Sequence, residues 1–600
     1  MPAQARAQGA VGAISAPLRG WIDSDNLADN PGGGCSVLEN GFPTTSSVRV
    51  RGGALLKTVV GVALEGFLTY RSGAVDTLFA ATAGSIFDVS LFPSTVGLPI
   101  WTGGTNGRWS FTQMVVAGIE HLVAVNGADL AIHYDGTDLN PLSTAAIKSL
   151  AFDGLTQAFV IGRTLTGGTS SATGVIVGII PTGATTGRLK LRSVSGTFQN
   201  DEAITGSGTA GGAAVANGVA ADASSIVITG VATSDLSHVW QHGSRLWFVQ
   251  DGTTKAWYLP VDSIGGTATS FDFGGLFSEG GALLFGAKWS SDSGSGFNDR
   301  NVFVSTEGEI VVFEGNDPSD ADTWMRVGTY KVGRPISSQT WTAGGDLILC
   351  TEDGLVPMSA VVTKDQAALS HASLTANIEA PWRMVTGTNV NGVPVQMLKW
   401  QSHNMGLVGF PHRSGTDAFV VNLITGAWAK WTGLDIQCIA LHDGWAYMGD
   451  EAGNVLQLEA AGADNEMPFV WRMSWLPTPL GAPGVFKLAS LARATFRALV
   501  PFTPKLSVAN DYGRLFPAAP SAPLDSAAVA LWDVGIWGES RWDDAPGAEN
   551  RVTRVTPWVS VGASGVAVSP QVQVTSGGSR MLDAELVAYD VAYQTGGYVV

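Results

Sequence analysis

Alternating apolar and polar residues, with β-branched and aromatic runs between turns, dominate this chain, and helical periodicity is nearly absent. The recurring unit is a short apolar strand, a turn holding Gly or Asp, and a second strand, the pattern of a β-hairpin. It occurs at Thr77–Ser90, His121–Tyr134, Arg245–Leu259, Asn301–Glu314 and Asp346–Met358, and again at Met405–Leu423 and Gly444–Leu458. Hairpins repeating at tens of residues without intervening helices predict an all-β chain built on a β-propeller, each hairpin supplying two strands of a blade. One hairpin cannot bury both of its faces alone, whereas blades packed in a ring can. The hairpins do not fix the blade number, because one of them can belong to a blade completed from elsewhere. Six blades is the expectation and seven the alternative. The best helix candidate is Val485–Val500, followed by Lys364–Ala376.

The ring pattern is interrupted. From about Phe159 to Ala220 the sequence turns rich in Gly, Thr, Ser and Ala and holds a duplication. FVIGRTLTG (Phe159–Gly167) and FQNDEAITG (Phe198–Gly206) each place Phe seven residues before Thr-Gly. With Ile176, Ile179, Leu189 and Leu191 as core candidates, this reads as a small two-repeat β domain inserted between blades. After Leu458 the hairpin rhythm stops, and a second β domain is expected. The resulting division is an N-terminal segment entering the propeller (1–53), propeller (54–158), insertion (159–222), propeller (223–460) and a C-terminal β-rich domain (461–600). A chain of 600 residues is too long for one core, which agrees with several domains.

Charge changes the picture. Asp, Glu, Lys and Arg make up only 14% of the chain, against roughly 25% in ordinary soluble domains. A chain so poor in surface charge is expected to cover much of its surface with partners. The formal charge of −17 argues against wrapping nucleic acid, which needs basic patches to neutralise phosphate. It suits a conduit wall to which DNA must not stick, or serves only to keep the protein soluble. Cys35, Cys350 and Cys438 are far apart with no CxxC spacing and read as buried free thiols of a reducing compartment. The short apolar patch Ala10–Ile14 is too small for a signal-peptide core, and Val175–Ile180 is far below a membrane span. Synthesis in a cytoplasm, with no membrane segment, is the expectation.

No catalytic signature emerges. A phosphate-binding GxxxxGK[ST] loop, an HExxH helix and a GxSxG elbow are all missing from the sequence. His403 and His412 form the closest useful histidine pair, without Cys or carboxylate at ligand spacing. Ser290–Phe297 (SSDSGSGF) resembles the Asp-containing turn of sialidase-like propellers, with Gly296 and Phe297 in place of Thr and Trp. In those proteins that Asp caps a hairpin turn and is structural. Asp317, Asp320 and Asp322 lack the calcium-loop spacing and read as a solvated turn. No enzyme activity, cofactor or metal is expected. Trp532, Trp537 and Trp542 recur every five residues in LWDVGIWGESRWDD, as core anchors or as contacts with a neighbouring subunit.

The segment Pro17–Gly53 resembles the opening of the tail nozzle family of short-tailed phages, also called tail tubular protein B or packaged-DNA stabilisation protein. The elements that carry the resemblance are Gly20-Trp21, Pro31–Gly34, Leu38-Glu39-Asn40, Phe42-Pro43 and Arg51-Gly52-Gly53. The insertion departs from the simplest family pattern. The resemblance implies a homohexameric ring of propeller proteins in the virion tail, assembled in the host cytoplasm below the portal and a tail adaptor. Tail fibres or spikes would dock on it, and genomic DNA would pass through its lumen without sequence-specific binding. Trp21, Arg49, Arg51 and the three tryptophans are then candidate subunit-interface residues. Competing expectations are a receptor- or glycan-binding propeller of a fibre or spike, a hydrolase of the Asp-turn type, and a tail-tip protein of a long-tailed phage.

Overall fold

The computed structural model describes residues 9–23, 32–73, 75–94, 96–292, 297–320, 322–387, 393–411, 418–481, 483–499, 501–522, 551–578 and 581–598. Each of the seven hairpins expected from the sequence forms, and each lies in a different antiparallel blade. Blade 1 holds Gly66–Ser72, Val75–Ala81, Ser85–Asp88 and Trp101–Thr102; blade 2 holds Ser110–Val116, Ile119–Val125, Ile132–Tyr134 and Leu139–Pro141. Blade 3 is Leu236–His242, Arg245–Gln250, Lys255–Tyr258 and Thr269–Asp272. Blade 4 is Leu283–Asp292, Phe297–Ser305, Glu309–Glu314 and Met325–Lys331. Blade 5 has three strands, Trp341–Ala343, Asp346–Thr351 and Gly354–Pro357, and blade 6 is Gln396–Trp400, Met405–Gly409, Ala418–Asn422 and Trp428–Trp431. Blade 7 combines Cys438–His442, Trp445–Gly449 and Asn454–Ala461 with the early strand Gly53–Val59.

First strands pack side by side between blades 2 and 3, 3 and 4, 5 and 6, 6 and 7, and 7 and 1. The first strand of blade 4 meets the second of blade 5, and the second strand of blade 2 meets the first of blade 1, so the ring closes. Five of these sheets stand alone and two, those of blades 1 and 6, run on into larger sheets. The expectation of six blades is therefore corrected to seven among the described residues. The reason is simple: no hairpin is shared, and the blade with fewest strands takes its closing mass from helices. Met358–Thr363, Leu369–Ala372 and Glu379–Thr386 follow blade 5, and Trp382 is buried there with its indole N–H donated to Thr351 O at 3.0 Å. Blade 7 is closed by strands from both ends of the propeller, Asn454–Ala461 against Gly53–Val59. That pairing joins residues 400 apart in sequence and locks the ring.

The insertion is folded and wider than expected, with strands from Ile147–Gln157 to Ala221–Ser224. Its duplication is visible as packing. Phe159 and Phe198 share one core with Leu165 and Ile204, and the repeat strands Thr164–Gly167 and Ala203–Gly206 pair antiparallel. Lys190 of the insertion is fully buried and bonds Asp138 and Asn140 of blade 2 at 2.6 and 2.8 Å.

The C-terminal region forms a β-sandwich, and the N-terminal segment builds part of it before delivering the chain to blade 7. One sheet orders Gly41–Pro43, Val48–Val50, Glu585–Tyr598, Val485–Ala498 and Val552–Val555, with Gly9–Ser15 beside Glu585–Tyr598 and Val559–Gly565 beside Val485–Ala498. The other continues blade 6 through Cys35–Glu39, Val470–Trp475, Val568–Thr575 and Lys505–Asn510. The helix expected at Val485–Val500 is a strand, Val485–Ala498. Its Ala, Leu, Lys and Arg favour helix locally, but eleven of its residues pair with Glu585–Tyr598, and tertiary pairing overrides propensity. A register shift between Ala489 and Leu491 adds one residue to the outward run, so inward positions such as Ala489 and Ala492 acquire helix-like spacing. Lys364–Ala376 is helical only in short pieces, Gln366–Ala368 and Leu369–Ala372.

Candidate functional site

Two places in the fold concentrate polar chemistry: the axis of the ring and the joint between ring and sandwich. At the axis the first strands of six blades, with Ser337–Thr340 just before the first strand of blade 5, line a cavity of about 720 Å³. His238 of blade 3 reaches two neighbouring blades there. Its Nε2 donates to Gly286 O of blade 4 at 3.0 Å, and its Nδ1 accepts from Ser110 Oγ of blade 2 at 3.0 Å. Ser110 Oγ also accepts the Val239 N–H at 3.3 Å, which agrees with the hydroxyl proton lying on the imidazole. Burial pushes the His238 pKa down to about 4 against the pull of the Gly286 carbonyl. A neutral ring with both nitrogens bonded is a strut across three blades and has no nitrogen left for base chemistry. Gln339 does the same between blades 5 and 6, accepting the Met397 N–H at 2.6 Å.

The joint is built from the N-terminal segment. Gly20 adopts φ +71 with its Cα so close to Trp428 that a Cβ would lie 2.5 Å from that residue's carbonyl oxygen. Trp21 follows, 7% exposed, its N–H on Trp428 O at 2.7 Å and its ring edge-on to Phe419. Asn40, at φ 56, saturates its amide. Its Nδ2 donates to Thr432 Oγ1 and Val470 O, both at 3.0 Å, and its Oδ1 accepts from Arg51 Nε and the Thr432 N–H. Arg51 is 3% exposed and every one of its five N–H groups finds an acceptor among Asn40, Gly52, Thr432 and the two oxygens of Asp464. Its guanidinium lies 3.8 Å from the Phe469 ring centroid. Arg49 pairs with Glu459 at 2.6 Å over the Phe42 ring. Gly53 sits where a Cβ would meet Ala463 O at 2.2 Å.

Trp21, Arg49 and Arg51 therefore face partners within their own chain. Trp21 and Arg51 are buried within the chain, and the acidic partners of the arginines are Glu459 and Asp464. Trp532, Trp537 and Trp542 lie outside the described residues, as does His412. The Ser290–Phe297 motif straddles the first hairpin of blade 4, where Asp292 opposes Phe297 and residues 293–296 lie outside the described residues. Asp317 and Asp320 accept hydrogen bonds from Ser319, Asp322 and Thr323, forming a turn just before the last strand of blade 4. The three cysteines are buried, and burial pushes each thiol far above its ordinary pKa. Among the described residues no group of three or more His, Cys, Asp or Glu is placed to hold a metal, and no helix is long and apolar enough to cross a membrane.

Sequence reasoning did not single out His238, Ser110 or Asp464. Each is one common polar residue whose role depends on a blade or domain far away in sequence, so no local signal marks it. Asn40 was visible only as part of the Leu-Glu-Asn element.

No family model matches the chain, and no curated protein sequence matches it. Among solved structures it is similar to the computationally designed protein Ika8, at 12% identity and TM-score 0.30, over 67% of this chain and 99% of that one. It is also similar to Saccharomyces cerevisiae Sqt1, at 9% identity and TM-score 0.31, over 68% and 98%. The β-propeller domain of Myceliophteria thermophila Cps50 (Swd1) aligns at 9% identity and TM-score 0.24, over 65% and 98%. At these scores the propeller assignment rests on the strand pairing described above.

Proposed function

We propose that this chain is a structural tail nozzle protein of a short-tailed bacteriophage, forming a hexameric distal tail tube that retains packaged DNA and conducts it during ejection. The observation that supports this reading most is where the family-like opening lies. Gly20-Trp21, Leu38-Glu39-Asn40, Phe42-Pro43 and Arg51-Gly52-Gly53 all converge on the joint that ties blades 6 and 7 to the sandwich. Elements that look scattered in sequence thus serve one mechanical purpose, holding two domains in fixed relation under load.

The axial cavity of one copy, about 720 Å³, has the size of a small-ligand pocket and admits no duplex. A DNA conduit must then lie between copies, which is what a ring provides. Six copies carry roughly 6 × −17 ≈ −102 formal charges; those facing the lumen would repel phosphates and let DNA slide. The adaptor above and fibres or spikes at the rim are the partners of this reading. Its test is DNA retention. Particles assembled without this protein should fill and then leak their genome; particles that stay full without it would contradict the reading.

One feature of the fold favours a second reading, a receptor- or glycan-binding propeller of a tail fibre or spike. Trp445, 40% exposed, flanks His403 at 5.5 Å between ring centroids, and His403 stands 3.7 Å from Trp400. An exposed indole backed by rings is the kind of platform on which a sugar stacks. Binding on a glycan array that is lost in Trp445→Ala would support it, and an array with no bound glycan would count against it.

A further inference from the structure

The sandwich presents two strand edges that carry no charged residue and, among the described residues, no further partner strand. One is Gly9–Ser15 (GAVGAIS), paired only with Glu585–Tyr598. The other is Val559–Gly565 (VSVGASG), paired only with Val485–Ala498. They are opposite edges of one sheet. An exposed edge is a row of unpaired N–H and C=O groups, and proteins that stay single guard such rows with Lys, Pro or inward charges. Neither edge has any of these.

The two edges share levels of the sheet. Val11 opposes Ala592, Ala592 opposes Leu491, and Leu491 opposes Ser560, so one row crosses all four strands. Gly9, Gln594, Leu488 and Ser564 make a second row. The two edges therefore occupy the same level of the sheet. Every neighbour is antiparallel, so the edges run in opposite directions across an even number of strands. On the shared face Val11 is 60% exposed and Leu488 46% exposed. Prior hydrogen bonds lie at the strand ends, where Ser15 O accepts Trp475 Nε1 and Ser564 O accepts Asn510 Nδ2, and Lys505–Asn510 of the other sheet packs beside Val559–Gly565 without pairing to it.

We infer that copies of this chain join head to tail, Gly9–Ser15 of one copy pairing antiparallel with Val559–Gly565 of the next. A second copy set beside the first in the same orientation brings an ascending strand against a descending one at equal height. The sheet then continues from the Val11–Ser560 row with the same hand, the bulge that gives Val559–Gly565 two more residues than Gly9–Ser15 between the two rows being carried into the joint, and Val11 gains cover from the neighbour's face. Two different surfaces meet, a heterologous contact that builds either a closed ring or an open filament. Closure at six rests on the nozzle reading; the edge pairing rests on the sheet itself.

The test uses the full-length protein. Single-cysteine additions Val11→Cys and Ser560→Cys are mixed under mild oxidation, the three native thiols being buried. A mixed disulfide between the two variants is expected, together with a loss of association of roughly tenfold or more in Val11→Lys, as a charge on a strand edge brings. The melting temperature of Val11→Lys should stay that of the parent. Assembled protein that gives no mixed disulfide and ignores Val11→Lys would overturn the pairing and leave the ring reading intact. Protein that stays monomeric at every concentration would overturn it as well. Paired edges found in a filament or a threefold spike would keep the pairing and end the nozzle reading.

Discussion

Arg51 grips Asp464 with both arms of its guanidinium, Nη1 to Oδ1 at 2.7 Å and Nη2 to Oδ2 at 2.5 Å, across 413 residues of chain. One partner ends the family-like opening, and the other lies just beyond the last strand of blade 7. Asp464 Oδ1 also accepts the Ala54 N–H at 3.0 Å, so the pair fixes the start of the ring-closing strand. Two charges in a buried place hold only because each lone pair and proton is matched.

Removing one half of this pair should be costly. Asp464→Ala strands the Arg51 charge and is expected to lose about 3–5 kcal/mol in urea unfolding. Arg51→Lys keeps the charge but lacks the fork and the flat face against Phe469, and should lose about 2 kcal/mol. The double change Arg51→Met with Asp464→Leu should recover most of the loss, because no unpaired charge remains.

The insertion is held to blade 2 by an asymmetric pair, Lys190 with no exposure and Asp138 with a side chain 29% exposed. Lys190→Met should change stability by no more than about 1 kcal/mol, since Asp138 remains in contact with water. Asp138→Ala should cost about 3 kcal/mol, because it leaves the buried ammonium with Asn140 alone. Equal effects of the two changes in thermal unfolding would contradict this account of the interface.

Acid should loosen the same interface through His133. Burial, with His121 adding to it, pushes its pKa from 6.5 down to about 4, while its Nε2 and Ser224 Oγ lie 3.0 Å apart. The folded protein keeps this ring neutral, whereas the unfolded chain takes up a proton below pH 6.5. Stability from this group is therefore complete above pH 6.5 and declines as pH falls toward about 4, at up to about 1.4 kcal/mol per pH unit. His133→Gln should flatten that part of the stability-against-pH curve. An unchanged slope would show that other groups set it.

Gly20 tests the joint from the other side. With φ +71 and Trp428 O in the place of a Cβ, Gly20→Ala combines left-handed strain with a backbone clash and should cost about 1–3 kcal/mol. The loss should appear as separate unfolding of sandwich and ring in calorimetry, since Trp21 and blade 6 are joined at this point.

The ring was legible because its signal is local. A hairpin declares itself through two apolar strands and a Gly or Asp turn, and all seven hairpins fold where the pattern placed them. The number of blades was not legible, since whether two hairpins share a sheet is decided by long-range pairing. Val485–Ala498 shows the same limit: Ala and Leu at helix-like spacing mean little when Glu585–Tyr598 supplies a partner for the whole strand. That 1–53 and the C-terminal region share one sandwich was invisible for that reason too. Gly9–Ser15 and Cys35–Glu39 pair with strands of the sandwich that arrive more than four hundred residues later. At the joint, Arg49 and Arg51 stood out as charges on a strand, but their partners Glu459 and Asp464 did not, because a carboxylate in a loop carries no mark of what it binds.

Cryo-electron microscopy of intact virions carrying this chain tests the nozzle reading most directly, through the place and symmetry of the copies. The nozzle reading predicts six copies around the distal tail axis, their propellers surrounding a continuous channel whose wall is acidic. Copies on peripheral fibres, in threefold spikes, or around a lumen lined by Lys and Arg would contradict it.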